Sequence, residues 1–174
     1  MDYKVIIVRL VAAVLVGGLI GYERERENSP AGFRTNILVC VGATVVALIS
    51  ESNLQRAIGL ASNPMYQNII KVDIGRLGAQ VISGIGFLGA GTILVEKGTI
   101  KGLTTAATLW LVACLGLALG QGLYAISFTG AVIVVITLSF FKKADNFINE
   151  RNSRSKKKKK DDVSDLDYFE NNNI

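Results

Sequence analysis

The 174 residues contain no histidine. That single absence removes Ser-His and Cys-His nucleophilic chemistry and every histidine-based zinc motif. Cysteine is nearly missing as well: Cys40 and Cys114 both lie inside apolar runs, where they behave as small hydrophobes and are poorly placed for a solvent-side disulfide or a metal site. No redox compartment follows from them. Carboxylates are scarce where chemistry would need them, and Asp73 is read as the one within or bordering the apolar runs after the first. Enzymatic activity, a cofactor and a metal centre are therefore not expected.

What is present is grease and glycine. Half of the residues are hydrophobic, the mean hydropathy is +0.40, and 18 glycines stand against 2 prolines. This is the profile of a polytopic membrane protein. The net charge of +5 would suggest nucleic acid in a soluble chain, but here the distribution of basic residues bears on topology first, and no nucleic-acid partner is expected.

Five apolar spans are predicted, at about residues 5–22, 35–50, 74–95, 103–119 and 123–141, giving an all-α membrane bundle over residues 1–143. The first, at roughly 1.5 Å per residue, nearly covers a ~30 Å hydrocarbon core. A signal peptide is the competing reading, but the flank Glu23-Arg24-Glu25-Arg26-Glu27 is not a small-residue cleavage site. Arg9, one turn inside the span, is read as snorkelling outward. From Glu51 to Val72 the chain turns polar, with a break at Asn63-Pro64, and is expected to lie partly on the membrane surface. Residues 144–174 form a charged tail with too little apolar content to fold. Its run Lys156 to Lys160 fits either an anchor on anionic lipid or a solvated determinant of topology.

Of the 19 basic residues, 14 fall in the loop after the first span, the turn after the third and the tail. The positive-inside rule then places the N-terminus outside and the tail in the cytoplasm. Tyr3, Tyr66 and Tyr124 at outer ends, with Tyr22, Phe33, Phe140 and Phe141 at inner ends, agree with that orientation. Trp110 lies in mid-span and is expected to pack between helices.

The run from Ile74 to Trp110 is the most informative. Asp73, Arg76, Gln80 and Ser83 follow spacings of three and four and share one helical face, while Gly75, Ala79, Gly86 and Ala90 share another. A smooth stripe invites close helix contact, and a polar stripe in hydrocarbon needs protein partners, so the segment is predicted to be a central, buried helix. Gly17, Gly21, Gly84, Gly86, Gly89 and Gly91 are the predicted contact glycines. Gly84, Gly86 and Gly89 also match G-x-G-x-x-G, but without a preceding strand or an acidic residue some 20 positions on, nucleotide binding is set aside.

Three blocks carry a family resemblance: Gly21-Tyr22-Glu23-Arg24, then Ala31-Gly32-Phe33-Arg34-Thr35, then Gln80 through Gly91 followed by Gly102 to Trp110. Together they resemble the membrane domain of the MgtC/SapB family over roughly residues 5–141. The resemblance implies a five-helix bacterial inner-membrane protein linked to growth in low magnesium, acid stress and survival inside host cells. In the best-known members it also implies a regulatory partner, the rotary ATP synthase. Longer members carry a soluble ACT-type domain after the position of Phe141, where this chain has the lysine-rich tail.

Carried over as functional candidates are Glu23, Arg24 and Arg34 from the first loop and Asp73, Arg76 and Gln80 from the third span. Glu23, Arg24 and Arg34 fit either loop charge that sets the positive-inside orientation or a charge-assisted network that fixes the loop, with Arg34 bidentate to Glu23, forming a docking surface or the mouth of a polar passage. Asp73 and Arg76 are expected to form one electrostatic unit, with Arg9 as the alternative partner for Asp73. Two function classes remain. One is a regulator that binds another membrane protein, with homo-oligomerisation as a further option. The other is an ion carrier or channel, for which glycine-interrupted spans and the helix start at Gly102-Leu103-Thr104 are the pointers. The scarcity of carboxylates favours the regulator over a magnesium path.

Overall fold

A computed structural model describes residues 2–61, 73, 75–96 and 98–140. Helix α1 (Tyr3–Arg26) is followed by α2 (Phe33–Ala61) and α3 (Arg76–Ala90). A short hairpin of β1 (Leu94–Glu96) and β2 (Thr99–Lys101) leads into α4 (Leu103–Gly120), and α5 spans Tyr124–Phe140. The chain divides into two compact units, Met1–Val135 and Ile136–Ile174. Of the second unit, residues 136–140 are described, as helix. The predicted connection 62–72 and the charged tail 144–174 lie outside the described residues.

The architecture is a helical membrane bundle. α1, α2 and α4 are each long and apolar enough to cross a membrane, at 24, 29 and 18 residues. α1 packs chiefly on α2, α2 on α4, and α3 leans on α4 and more lightly on α2. Lipid is as apolar as leucine, so close packing holds such helices together rather than hydrophobic burial. Glycine supplies the closeness. A methyl on Gly17 would sit 2.8 Å from the Asn36 carbonyl and 2.9 Å from Cys40 Cβ, and one on Gly21 would sit 2.8 Å from Phe33 Cα. On α4, Gly116 and Gly120 lie directly against the backbone of α2 at Cys40 and Thr44. Thr44 Oγ1, fully buried, donates to the carbonyls of Cys40 (2.9 Å) and Gly116 (2.8 Å) and stitches the same seam.

Several expectations are corrected. α2 does not stop at Ser50 but runs to Ala61, because the polar Glu51, Ser52, Asn53, Gln55 and Arg56 are not helix breakers. Glu51 thus joins Asp73 as a carboxylate within or bordering the spans after the first. The third span is shorter than predicted: α3 ends at Ala90 and, at 15 residues, reaches only about 22 Å. Thr92 Oγ1 donates to the Gly89 carbonyl (2.7 Å) at its end. The chain then pairs as a hairpin with the β-branched Val95 opposite Ile100 at its centre, flanked by Leu94 opposite Lys101 and Glu96 opposite Thr99. Gly102 closes this turn at φ +89°, with the Thr92 carbonyl where a side chain would be, so only glycine fits.

Nor is α3 the central helix. Only Ile85 and Gly89 are buried on it, whereas ten residues of α4 are. Gly84 and Gly86 face open space, with nothing within 4 Å of an added methyl. Gly91 meets only its own helix, at Leu88 and Phe87. Trp110 is 44% exposed rather than wedged between helices. Gly89, by contrast, lies 3.4 Å from Ala106 of α4.

Candidate functional site

The loop joining α1 to α2 is built by its backbone first. α1 ends with Asn28 in the left-handed region (φ 53°), a conformation asparagine tolerates. Asn28 N donates to the Glu25 carbonyl (2.9 Å) and Ser29 N to the Arg24 carbonyl (3.0 Å), the paired bonds of a Schellman stop. Glu25 then reaches forward, and its Oε2 accepts from Phe33 N (2.8 Å) at the positive start of α2. That carboxylate occupies the space a side chain on Gly32 would need. Asn36, fully buried, donates to the carbonyls of Ala31 (3.0 Å) and Gly32 (2.8 Å), and its own Oδ1 has no hydrogen-bond partner among the described residues.

On this frame the charges close on each other. Arg24 Nη1 pairs with Glu27 Oε2 at 2.8 Å, and Arg26 Nη2 with Glu23 Oε1 at 2.8 Å. Glu23 and Arg24 are 5% and 7% exposed, so each is held where an uncompensated charge is costly. Ser29 Oγ meets Thr105 Oγ1 at 2.9 Å and ties the loop to the start of α4. Beside the pairs opens a cavity of about 760 Å³, lined by Tyr22, Glu25, Ser29, Pro30, Phe33 and Arg34 among others.

The predicted Arg34–Glu23 pair is not formed. Among the described residues Arg34 makes no ion pair; its exposed side chain edges the cavity, while Glu23 takes Arg26 one turn away on its own helix. A partner at i+3 costs less chain entropy to position than one across a loop. The Asp73–Arg76 unit is corrected in the same sense. Asp73 Oδ1 accepts from the backbone N–H groups of Gly75 (3.0 Å) and Arg76 (3.1 Å), capping α3, with no side-chain pair to Arg76. Arg9 is not its partner either.

Arg9 instead belongs to a site the sequence reading missed. Its guanidinium pairs with Glu51 of α2 and donates to the Gly120 carbonyl of α4 (2.6 Å), joining three helices. A cavity of about 180 Å³ adjoins it, lined by Ala47, Ser50, Glu51, Leu54 and Gln121. The signal was an ionisable residue inside an apolar run, which calls for a protein partner before a route to solvent.

The candidates fall at opposite ends of the bundle. α3 runs antiparallel to α4, with Gly78 nearest Leu117 and Gly89 nearest Ala106. Arg76 and Gln80, both exposed, therefore lie toward the Gly120 end, far from the loop that Thr105 touches. Among the described residues no group of three or more His, Cys, Asp or Glu is placed to hold a metal.

The convergence of Glu23-Arg24, Ala31 to Thr35 and Thr105 on one loop is what a shared family core would produce, and the MgtC family profile matches residues 10–147. The chain belongs to the MgtC family. This MgtC-family chain is 36% identical over 135 residues to YhiD of Escherichia coli K12, whose name marks it as a candidate magnesium transporter, covering 78% of this chain and 60% of that protein. Protein SapB of Bacillus subtilis is 40% identical over 136 residues (78% of this chain, 56% of SapB). Protein MgtC of Salmonella typhimurium LT2 is 38% identical over 144 residues (83% of this chain, 55% of that protein). The chain thus spans between half and two thirds of the length of these relatives. No solved structure matches it.

Proposed function

We propose that this chain is a multi-pass protein of a bacterial inner membrane that acts without catalysis, as a regulator of adaptation to low magnesium, acid stress or life inside host cells. It acts by binding a membrane protein partner at the loop between α1 and α2. The observation that carries this reading is the contrast within that loop. Glu23 and Arg24 are buried in ion pairs, as a scaffold requires, while Arg34 and the aromatic faces of Tyr22 and Phe33 are left exposed around an open 760 Å³ cavity. Exposed aromatics beside an arginine are the composition of a protein contact surface. The family resemblance makes the rotary ATP synthase the first partner to test.

The test is growth in low magnesium of a strain that depends on this chain, combined with photo-cross-linking from position 22, which shares the cavity lining with Arg34. Arg34→Glu should abolish growth support and cross-linking to an ATP synthase subunit while leaving thermal stability unchanged. Undiminished growth with Arg34→Glu overturns the reading.

Ion carriage is the second reading, favoured by α3. A helix of about 22 Å, shorter than a ~30 Å hydrocarbon core and followed by a hairpin, resembles the interrupted helices of carriers.

A further inference from the structure

We propose that the outward face of α3 is a contact between two copies of this chain, in which Gln80 and Ser83 meet their own counterparts and Arg76 meets the partner's Asp73. The buried side of α3 carries Val81, Ile85 and Gly89 against α2 and α4. The opposite side, spaced four and three along the helix, is Arg76, Gln80, Ser83 and Phe87, all exposed, with Phe87 at 83%. This is the alternation of a helix–helix seam, and it faces away from its own bundle. Its depth makes it untenable in lipid. Because Gly78 lies by Leu117 and Gly89 by Ala106, Gln80 and Ser83 sit alongside the middle turns of α4, where that helix crosses hydrocarbon. Neither side chain has a hydrogen-bond partner among the described residues, and hydrocarbon offers none.

Self-complementarity identifies the occupant. A glutamine amide both donates and accepts, and a serine hydroxyl does the same, so each can pair with its own image across a two-fold axis along the membrane normal. Charge supplies the second argument. Asp73 uses one oxygen as a cap, and the Arg76 guanidinium has no ion-pair partner among the described residues. Opposite charges three residues apart are satisfied reciprocally in an isologous pair, residue 73 of each copy against residue 76 of the other.

Single cysteines in a chain carrying Cys40→Ala and Cys114→Ala test the contact by oxidative cross-linking in native membranes. Gln80→Cys, Ser83→Cys and Phe87→Cys should give disulfide-linked dimers, while the lipid-facing controls Leu15→Cys and Val132→Cys should stay monomeric. Asp73→Asn keeps the capping oxygen but removes the charge; it should reduce the cross-linked fraction at position 80, as should Arg76→Gln, and the double variant should lose no more than either alone. Absence of dimer at all three positions, or equal dimer at the controls, overturns the interface. Full cross-linking in both charge variants overturns the Asp73–Arg76 cross pair and with it the two-fold arrangement.

Discussion

Gly17→Ala and Gly86→Ala are the same chemical change on two helices, and their effects should have opposite signs. At Gly17 the new methyl would lie 2.8–2.9 Å from the Asn36 carbonyl, Cys40 Cβ and Ile37 Cα. Carbon pairs rest at about 3.5–4.0 Å, so α1 and α2 must separate by roughly 0.6–1.2 Å along a seam made mostly of backbone. Overpacking of this kind costs about 1–3 kcal/mol, offset by up to ~1 kcal/mol from the better helix propensity of alanine. At Gly86 nothing lies within 4 Å, so the propensity gain should stand alone. The two variants should therefore differ by about 2 kcal/mol, or roughly 4–8 °C in melting temperature for a chain of this size. Cys40 is a built-in reporter, being fully buried against Gly17. With Cys114→Ala as background, the onset of Cys40 labelling by a fluorogenic maleimide on heating in detergent reads opening of this seam. Equal onset temperatures for the two variants, or a higher one for Gly17→Ala, would refute the close-approach reasoning.

Thr44→Val keeps the shape but removes the hydroxyl bonded to Cys40 and Gly116; it should lower stability by about 1 kcal/mol in thermal denaturation. Glu51→Gln should destabilise because it leaves Arg9 facing the Gly120 carbonyl without its counter-charge, and the double variant Arg9→Leu with Glu51→Leu should recover much of the loss; additive losses in the mutant cycle would count against the pair. Arg24→Gln should lower the melting temperature, whereas Arg34→Glu should not, since only Arg24 is buried in an ion pair. A topology reporter fused after Phe141 should read cytoplasmic and one near Ala61 external, as the 14 of 19 basic residues on one side require.

The apolar runs made α1, α4 and α5 legible, because a span of continuous hydrophobicity has few alternatives. The loop charges were legible as a site, since Glu23-Arg24 between two spans is an unusual place for paired charge. Their partners were not: Arg34, across the loop, was expected on Glu23, whereas Arg26, three residues on along the same helix, takes it. α2 was cut short because polarity at Glu51 was taken for a loop, although helices end at breakers and caps rather than at the first charged residue. The largest inversion concerned α3. Periodicity correctly separated Arg76, Gln80 and Ser83 from the other faces, but it cannot say which face meets protein, and the polar face proved to be the exposed one. Gly116 and Gly120, which make the tightest α2–α4 contacts, were passed over inside a run read only as greasy.

The choice between regulator and carrier rests most directly on flux. The purified chain, reconstituted in liposomes with magnesium- and proton-sensitive dyes inside, should give no flux above protein-free vesicles under either gradient. Magnesium or proton entry that rises with the amount of protein incorporated, and that falls when Arg9 or Gln80 is replaced, would contradict the regulator and establish the carrier in its place.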